Sequence, residues 1–443
     1  MLNVRLIGGS LMVVCKNTIN GFIVMKNNSI FQHFKKLRKN SNGIRIINNL
    51  KYLALLEITT HLFPLVTTPY LARVIGVQGF GLIAIGVAVV AYFQSFVEYG
   101  FNFSSVRDVS RLREDTNSIS RIFFETMFAK MVLMLFSSLI LVFLTCLVPF
   151  FKENQVVIWC TFLSIPAVVM NTDWIFQALE DMKFITIRSI VTKFVFTIPI
   201  FIIINKPEDY FWQPLLVAGG MIASSIWGGI QLRKKYNIHL YMPTQAEIVK
   251  QIKNNFSLFV SLFLPTIYTQ LNTLLLSGFN GKQATGIYSG GSKFTSIAYN
   301  LFQIISRAFY PYFSRHMDKH NMYVRFSLLL SIVFSLLLFL FAEPIVLIFL
   351  GSEFKDTIVV LRIVSFTPVA MSLMNSYGVN YLILKGKEKL MRNIIIGVTI
   401  LGLCLGTYGA IYYSFIGVAV TSLITQFVRA LTVTYYARKL STK

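Results

Sequence analysis

Apolar residues run along this chain in long blocks separated by short polar segments, without the brief alternating patterns of a water-soluble sheet. About 20 consecutive apolar residues are what an α-helix needs to cross the hydrocarbon of a bilayer. The blocks predict helices near 48–73, 81–104, 122–149, 156–179, 185–204, 212–232, 252–277, 284–310, 323–350, 357–384, 391–411 and 414–437. The expected fold is an all-α integral membrane protein of about twelve transmembrane helices.

The polar segments between blocks are of two kinds. Segments 26–51, 107–121, 183–188, 233–253, 315–325, 385–392 and 438–443 are basic, while the alternate ones hold only Lys152, Lys206, Lys282 and Lys355, with Arg73 at a helix end. Cytoplasmic loops carry the excess of Lys and Arg, so both termini are expected in the cytoplasm. Residues 1–47 form a basic cytoplasmic segment. Its apolar stretch 6–15 is too short to span, no small-residue cleavage site follows it, and Met25 is the expected start of translation.

Two six-helix lobes are expected, 48–233 and 251–443, the second including a short basic tail, with 234–250 as a cytoplasmic linker. A repeat supports the division. Pro64, Gly76, Gly79, Pro166 and Lys183 pair with Pro265, Gly278, Gly281, Pro368 and Lys385, at offsets of 201 residues once and 202 four times. Six helices separate the copies, so they share one orientation, and the repeat axis runs along the membrane normal.

Composition narrows the class. Hydrophobic residues make up 55 % of the chain and charged ones 13 %, which excludes a soluble globular enzyme and a disordered chain. The 41 basic against 18 acidic residues would suggest nucleic acid in a soluble protein, but here they fall between apolar blocks and report topology. Cys15, Cys146, Cys160 and Cys404 have neither metal nor disulfide spacing. There is no phosphate-binding loop, no Cys/His cluster and no Gly-x-Ser-x-Gly elbow, so neither cofactor, metal nor enzymatic activity is expected.

Polar residues inside the blocks are the candidate chemistry. A charge at the centre of a membrane helix costs roughly 2.5–3.5 kcal/mol on insertion scales and normally faces protein or water. Lys293, Ser296, Asn300, Gln303 and Arg307 share one helix face at spacings of 3 and 4. Thr266, Gln270, Thr273 and Ser277 form a second stripe, Glu57, His61 and Thr68 a third beside Pro64, and Gln94, Glu98, Asn102 and Ser105 a fourth. A single stripe is ordinary interhelical glue, worth about 0.6 kcal/mol per bond. Four stripes at related positions of a repeat, three of them charged, predict a polar cleft between the lobes. Its N-terminal wall would be acidic (Glu57, Glu98) and its C-terminal wall basic (Lys293, Arg307), with Asn300, Gln303, Gln270, Gln94 and Asn102 lining it. Lys130, Asp173, Lys193, Arg362 and Arg429 read as paired structural charges or as side chains snorkelling to the surface.

Several segments resemble one family. They are "TTPYLARVIGVQGFGLIAIG", "YFQSFVEYGFNFSSVRDVSRLRED", "NTDWIFQALEDMKF" and "GIYSGGSKFTSIAYNLFQIISRAFYPYFSR". Together they look like the bacterial O-antigen flippases of the multidrug/oligosaccharidyl-lipid/polysaccharide exporter superfamily, over residues 48–437. Ala178 departs from the glycine usual in the "WIFQ-x-LE" turn. The resemblance implies two six-helix lobes in the bacterial inner membrane that move undecaprenyl-pyrophosphate-linked oligosaccharide to the periplasmic face by alternating access. Lys293 and Arg307 would hold the pyrophosphate, and Glu57 and Glu98 are candidate ion-coupling groups. Membrane lipid, a polysaccharide polymerase and chain-length proteins are the partners it implies. Two rivals are a cation-coupled multidrug exporter of the same fold, which would favour an acidic cleft, and a membrane polymerase, which would carry a large external loop.

Overall fold

A computed structural model describes residues 41–112, 115–313 and 320–441, so Met25 and most of the N-terminal segment lie outside the described residues. Among the described residues there are no strands. The principal helices are α1 (Ser41–Glu98), α2 (Phe101–Arg111), α3 (Thr116–Leu147), α4 (Met182–Ile203), α5 (Trp212–Tyr236), α6 (Gln245–Phe313), α7 (His320–Leu340), α8 (Ala342–Phe349) and α9 (Glu388–Ser441). Broken helical runs occupy Gln155–Ala178 and Thr357–Ile383. Eight helices among the described residues are long and apolar enough to cross a membrane, or nine when a pair bent by 51° counts as one span.

Three of the helices are double length, and each breaks at one residue of non-helical backbone: α1 at Gly76, α6 at Gly281 and α9 at Ser414. Ten of the expected apolar blocks each fall on one helix, helix arm or broken run, while 81–104 crosses from α1 into α2 and 323–350 covers α7 and α8. The two glycine breaks have nearly the same geometry, φ 65° and ψ −175° at Gly76 against φ 78° and ψ −171° at Gly281. Positive φ is easy only without a β-carbon, which is why glycine holds both turns. The backbone counterpart of Gly76 is therefore Gly281, three residues beyond the Gly278 that sequence spacing pairs with it. The spacing fails here because it aligns the helical prolines, and the turn is reached later in the second copy.

The halves meet most closely along α1 and α6. At the end opposite the basic loops they share a core in which Ala72, Val77 and Phe80 of α1 pack with Leu276, Val346 and Phe354. There the Arg73 guanidinium donates to the Ile348 carbonyl, 2.6 Å away, at the C-terminal end of α8 where cations are favoured.

At the basic end the linker is fastened down. Asn237 ends α5 in the left-handed region, and Ile238 turns into a core containing Trp174 and Ile175. The His239 N–H donates to Ser120 Oγ (3.0 Å). Glu247 accepts from the Thr244 N–H (2.8 Å) and the Tyr241 hydroxyl (2.9 Å), and pairs with Arg121 of α3 at 2.6 Å.

Candidate functional site

A cavity of about 600 Å³ lies among α1, the Gln155–Ala178 run, α4 and α5, and receives Lys293 from the second arm of α6. Local sequence shapes its wall. Pro64 lacks an N–H and interrupts the bonding of α1. The Thr67 hydroxyl then donates to the Phe63 carbonyl (3.1 Å), and that of Thr68 donates to Pro64. In the broken run, Asn171 Oδ1 accepts from the Asp173 N–H (2.9 Å) and starts a short helix with an acid in its first turn.

Six ionisable side chains reach the cavity: Glu57, Glu98, Asp173, Arg188, Lys193 and Lys293. Arg188 is 2 % exposed. Its guanidinium donates to Thr172 Oγ1 (2.8 Å), pairs with Asp173, and lies 5.8 and 5.4 Å from the ring centroids of Phe176 and Phe184. Gly228 of α5 makes room for it, since a β-carbon there would fall 1.9 Å from Nη1. Lys193 Nζ donates to Thr60 Oγ1 (2.7 Å), within reach of the charges of Asp173 and Glu57. Lys293 Nζ stands 5.1 Å from the centroid of Phe80. Gln94 Nε2 donates to Glu98 Oε1 (3.3 Å). Lys293 also lines a smaller cavity of about 170 Å³, with Pro64, Thr68, Ser296 and Phe349.

Of the residues expected from sequence, Glu57, Glu98, Gln94 and Lys293 line this cavity. Asn102, Gln270, Asn300 and Gln303 do not line it. Asn102 accepts from Lys130 (3.1 Å), and Gln303 donates to the Tyr299 hydroxyl (2.5 Å). The side chains of Arg307 and His61 lie outside the described residues. Thr266 donates across the halves to Ser95 Oγ (3.3 Å), the gluing role a hydroxyl stripe ordinarily has.

Two corrections follow. The division into one acidic and one basic wall does not hold, because the N-terminal half supplies Arg188 and Lys193 together with three acids. Arg188, which the sequence reading puts in a basic loop, is buried inside α4, and Lys193 and Asp173 face the cavity instead of serving only as structural charges. The signal for Arg188 is Asp173 itself: an acid within an apolar run requires a cation, and Gly228 marks where a bulky side chain enters. Arg362 fits its structural reading, paired with Glu343 at 3.6 Å in an exposed position.

Such a site can take an anion on its three cations while the carboxylates serve as exchangeable counter-charges, and its amides and hydroxyls can hydrogen-bond a polyhydroxyl group. Among the described residues no cluster of His, Cys, Asp or Glu could hold a metal ion.

Apolar helices enclosing an ion-lined polar cavity define a multi-pass membrane transporter. The chain belongs to the polysaccharide biosynthesis protein family, which matches residues 46–317. It is 28 % identical over 408 residues to the "Putative O-antigen transporter" of Escherichia coli (strain K12), covering 87 % of this chain and 95 % of that protein. Among solved structures it resembles the lipid II flippase MurJ in an inward closed conformation, with a TM-score of 0.68, 16 % identity and 87 % of each chain covered. It also resembles an outward-facing multidrug resistance MATE family transporter of the MOP superfamily, with a TM-score of 0.54 and 15 % identity, covering 88 % of this chain and 95 % of that one. The relatives are transporters and flippases, and this protein is a transporter, not an enzyme.

Proposed function

We propose that this protein is a flippase that carries undecaprenyl-pyrophosphate-linked O-antigen oligosaccharide from the cytoplasmic to the periplasmic face of the bacterial inner membrane, with both termini cytoplasmic. The observation that carries this reading is the meeting of Arg188, Lys193 and Lys293 in one intramembrane cavity. A pyrophosphate-linked sugar is polar, anionic and excluded from hydrocarbon. Fixed cations substitute for its hydration through charge-assisted hydrogen bonds, while Gln94, Asn171 and neighbouring hydroxyls offer partners to the sugar. The polyprenyl chain stays in lipid at the gap between the halves. Arg307, which shares the sequence stripe of Lys293, is the further cation this reading invokes. The name of the Escherichia coli relative supports the cargo.

The halves rock so that the cavity faces each side in turn. With no nucleotide-binding loop in the chain, a proton or cation gradient, or consumption of cargo outside, biases the cycle. Glu57 and Glu98 are the candidate ion carriers, and polymerase and chain-length proteins are the consumers downstream.

The test is reconstitution of the full chain in proteoliposomes with a fluorescent polyprenyl-pyrophosphate oligosaccharide added to one leaflet. Movement to the other leaflet is expected. Failure to move it, combined with transport of a cationic dye, would establish the multidrug reading instead.

A further inference from the structure

The second arm of α1 ends at Glu98, and the chain passes through Tyr99 (φ 48°) and Gly100 (φ 81°) before α2 starts at Phe101. This interrupts one of the candidate spans, Lys51–Arg111. Interrupted backbone is tolerated at membrane depth only where protein or a cavity surrounds it. A left-handed tyrosine is strained by its β-carbon and persists only where its neighbours hold it.

Phe96 and Phe101 of its own half flank the Tyr99 ring, and two further neighbours come from the other half. The Tyr99 ring, 6 % exposed, stacks on Phe259 with centroids 4.3 Å apart and planes 4° from parallel. Gly100 presses on Leu258, whose Cγ would be 2.8 Å from any β-carbon there. Both partners lie in α6 just before it bends by 51° between Val260 and Leu262. The interruption after α1 and the bend of α6 are thus packed against each other.

Lys130 of α3 stands beside them and is 1 % exposed. Its Nζ donates to Asn102 Oδ1, 3.1 Å away, in the first turn after the interruption. The acids whose charge reaches it are Glu98, the last residue before the interruption, and Asp173. A lysine so deep is expensive unless its charge is compensated. Lys130 holds the first turn after the interruption by a hydrogen bond, and the charge of Glu98, just before it, acts on the same ammonium without a direct ion pair.

We propose that Lys130 is a positioning residue, a built-in cation that ties Glu98 to Asn102 and so holds the Tyr99–Phe259 stack. A proton, metal cation or cargo that engages Glu98 in the cavity slackens this tie, and the bend of α6 is released. The inference rests on the cavity being the transport site, but its test needs no cargo.

Hydrogen exchange is measured by mass spectrometry on the full chain in lipid nanodiscs, over 96–104 and 256–263. Lys130→Met should speed exchange about tenfold in both segments. Lys130→Arg, which keeps the charge, should leave both within about twofold of the parent. Glu98→Gln should match Lys130→Met, and the double variant should be no faster than either alone, because the two side chains act as one tie. Unchanged exchange in 256–263, or effects that multiply in the double variant, would overturn the proposal. If Lys130→Met does not fold, Asn102→Ala decides: the same acceleration in 256–263 supports the tie, and none overturns it. Flipping by the parent is measured separately, so failure of the flippase reading would be distinct.

Discussion

Gly81 and Gly286 each lie against the backbone of the opposite half. A β-carbon on Gly81 would fall 1.9 Å from the Lys282 carbonyl oxygen, and one on Gly286 would fall 2.1 Å from that of Val77. Lys282 directly follows the break at Gly281, as Val77 follows the break at Gly76, so the contact is reciprocal.

Backbone cannot retreat as a side-chain tip can. Gly81→Ala and Gly286→Ala should therefore each destabilise the chain by about 1–3 kcal/mol, the usual cost of overpacking. Gly278 has no neighbour within 4 Å of its β position and is helical. Gly278→Ala should be neutral or stabilising, up to about 1 kcal/mol. Thermal unfolding of the purified variants measures all three, and equal effects at Gly81 and Gly278 would contradict the close approach.

Gly228 and Arg188 give a second prediction. Gly228→Ala should drive the guanidinium from its seat and lower transport as far as Arg188→Ala does. Breaking a buried ion pair costs roughly 3–5 kcal/mol. The Asp173 side chain is 47 % exposed toward the cavity, so Asp173→Asn should fall at or below the lower end. Arg188→Lys should not rescue, since one ammonium cannot hold Thr172 and Asp173 in the same fork. Transport rates and melting temperatures of the set check this.

The cavity charges give a third. Lys293→Ala should abolish export of surface polysaccharide while the chain still inserts, and Lys293→Arg should restore part of it. Glu57→Gln should retain cargo binding but lose the dependence of transport on an imposed pH or Na⁺ gradient. If Glu57 only balances the basic groups, the gradient dependence will persist in that variant, and the coupling role fails.

Topology is checked by labelling. Glu153, Pro207 and Lys282 are exposed and belong to the weakly basic loops, while Gln245 and Lys387 are exposed in the strongly basic ones. Single cysteines at the first three should react with an impermeant thiol reagent in intact cells, and those at the last two only after permeabilisation. Asn154, 5 % exposed, and Gly281, with positive φ, are unsuitable positions in the same weakly basic loops.

The helices were legible because apolar length is a local property, and the loop charges gave a topology for the same reason. Gly76 and Gly281 were visible as glycines, but their equivalence was misjudged by three residues, since spacing cannot tell where a helix actually turns. Ser414, which breaks α9, carries no such flag. In the site, Glu57, Glu98, Gln94 and Lys293 stood out as polar groups in apolar runs. Arg188 did not, because it sits five residues after Lys183 near a helix start, where sequence cannot distinguish a buried cation from a surface one. Its burial depends on Gly228, forty positions later, and on the packing of α5 against α4, which no helical periodicity reports.

The linker between the halves has a mechanical consequence. A slack tether would let two bodies slide, tilt and separate freely at both ends. Here Ile238 is sunk in the core, His239 is bonded to Ser120, and Arg121 clamps Glu247, so the strap acts as a rivet on α3. Two rigid arms riveted at one end swing widest at the other. Under the proposed rocking, the longest stroke falls at the far end, where Arg73, Gly81 and Gly286 close the seam, and a small yielding near the rivet is geared up into a wide opening there.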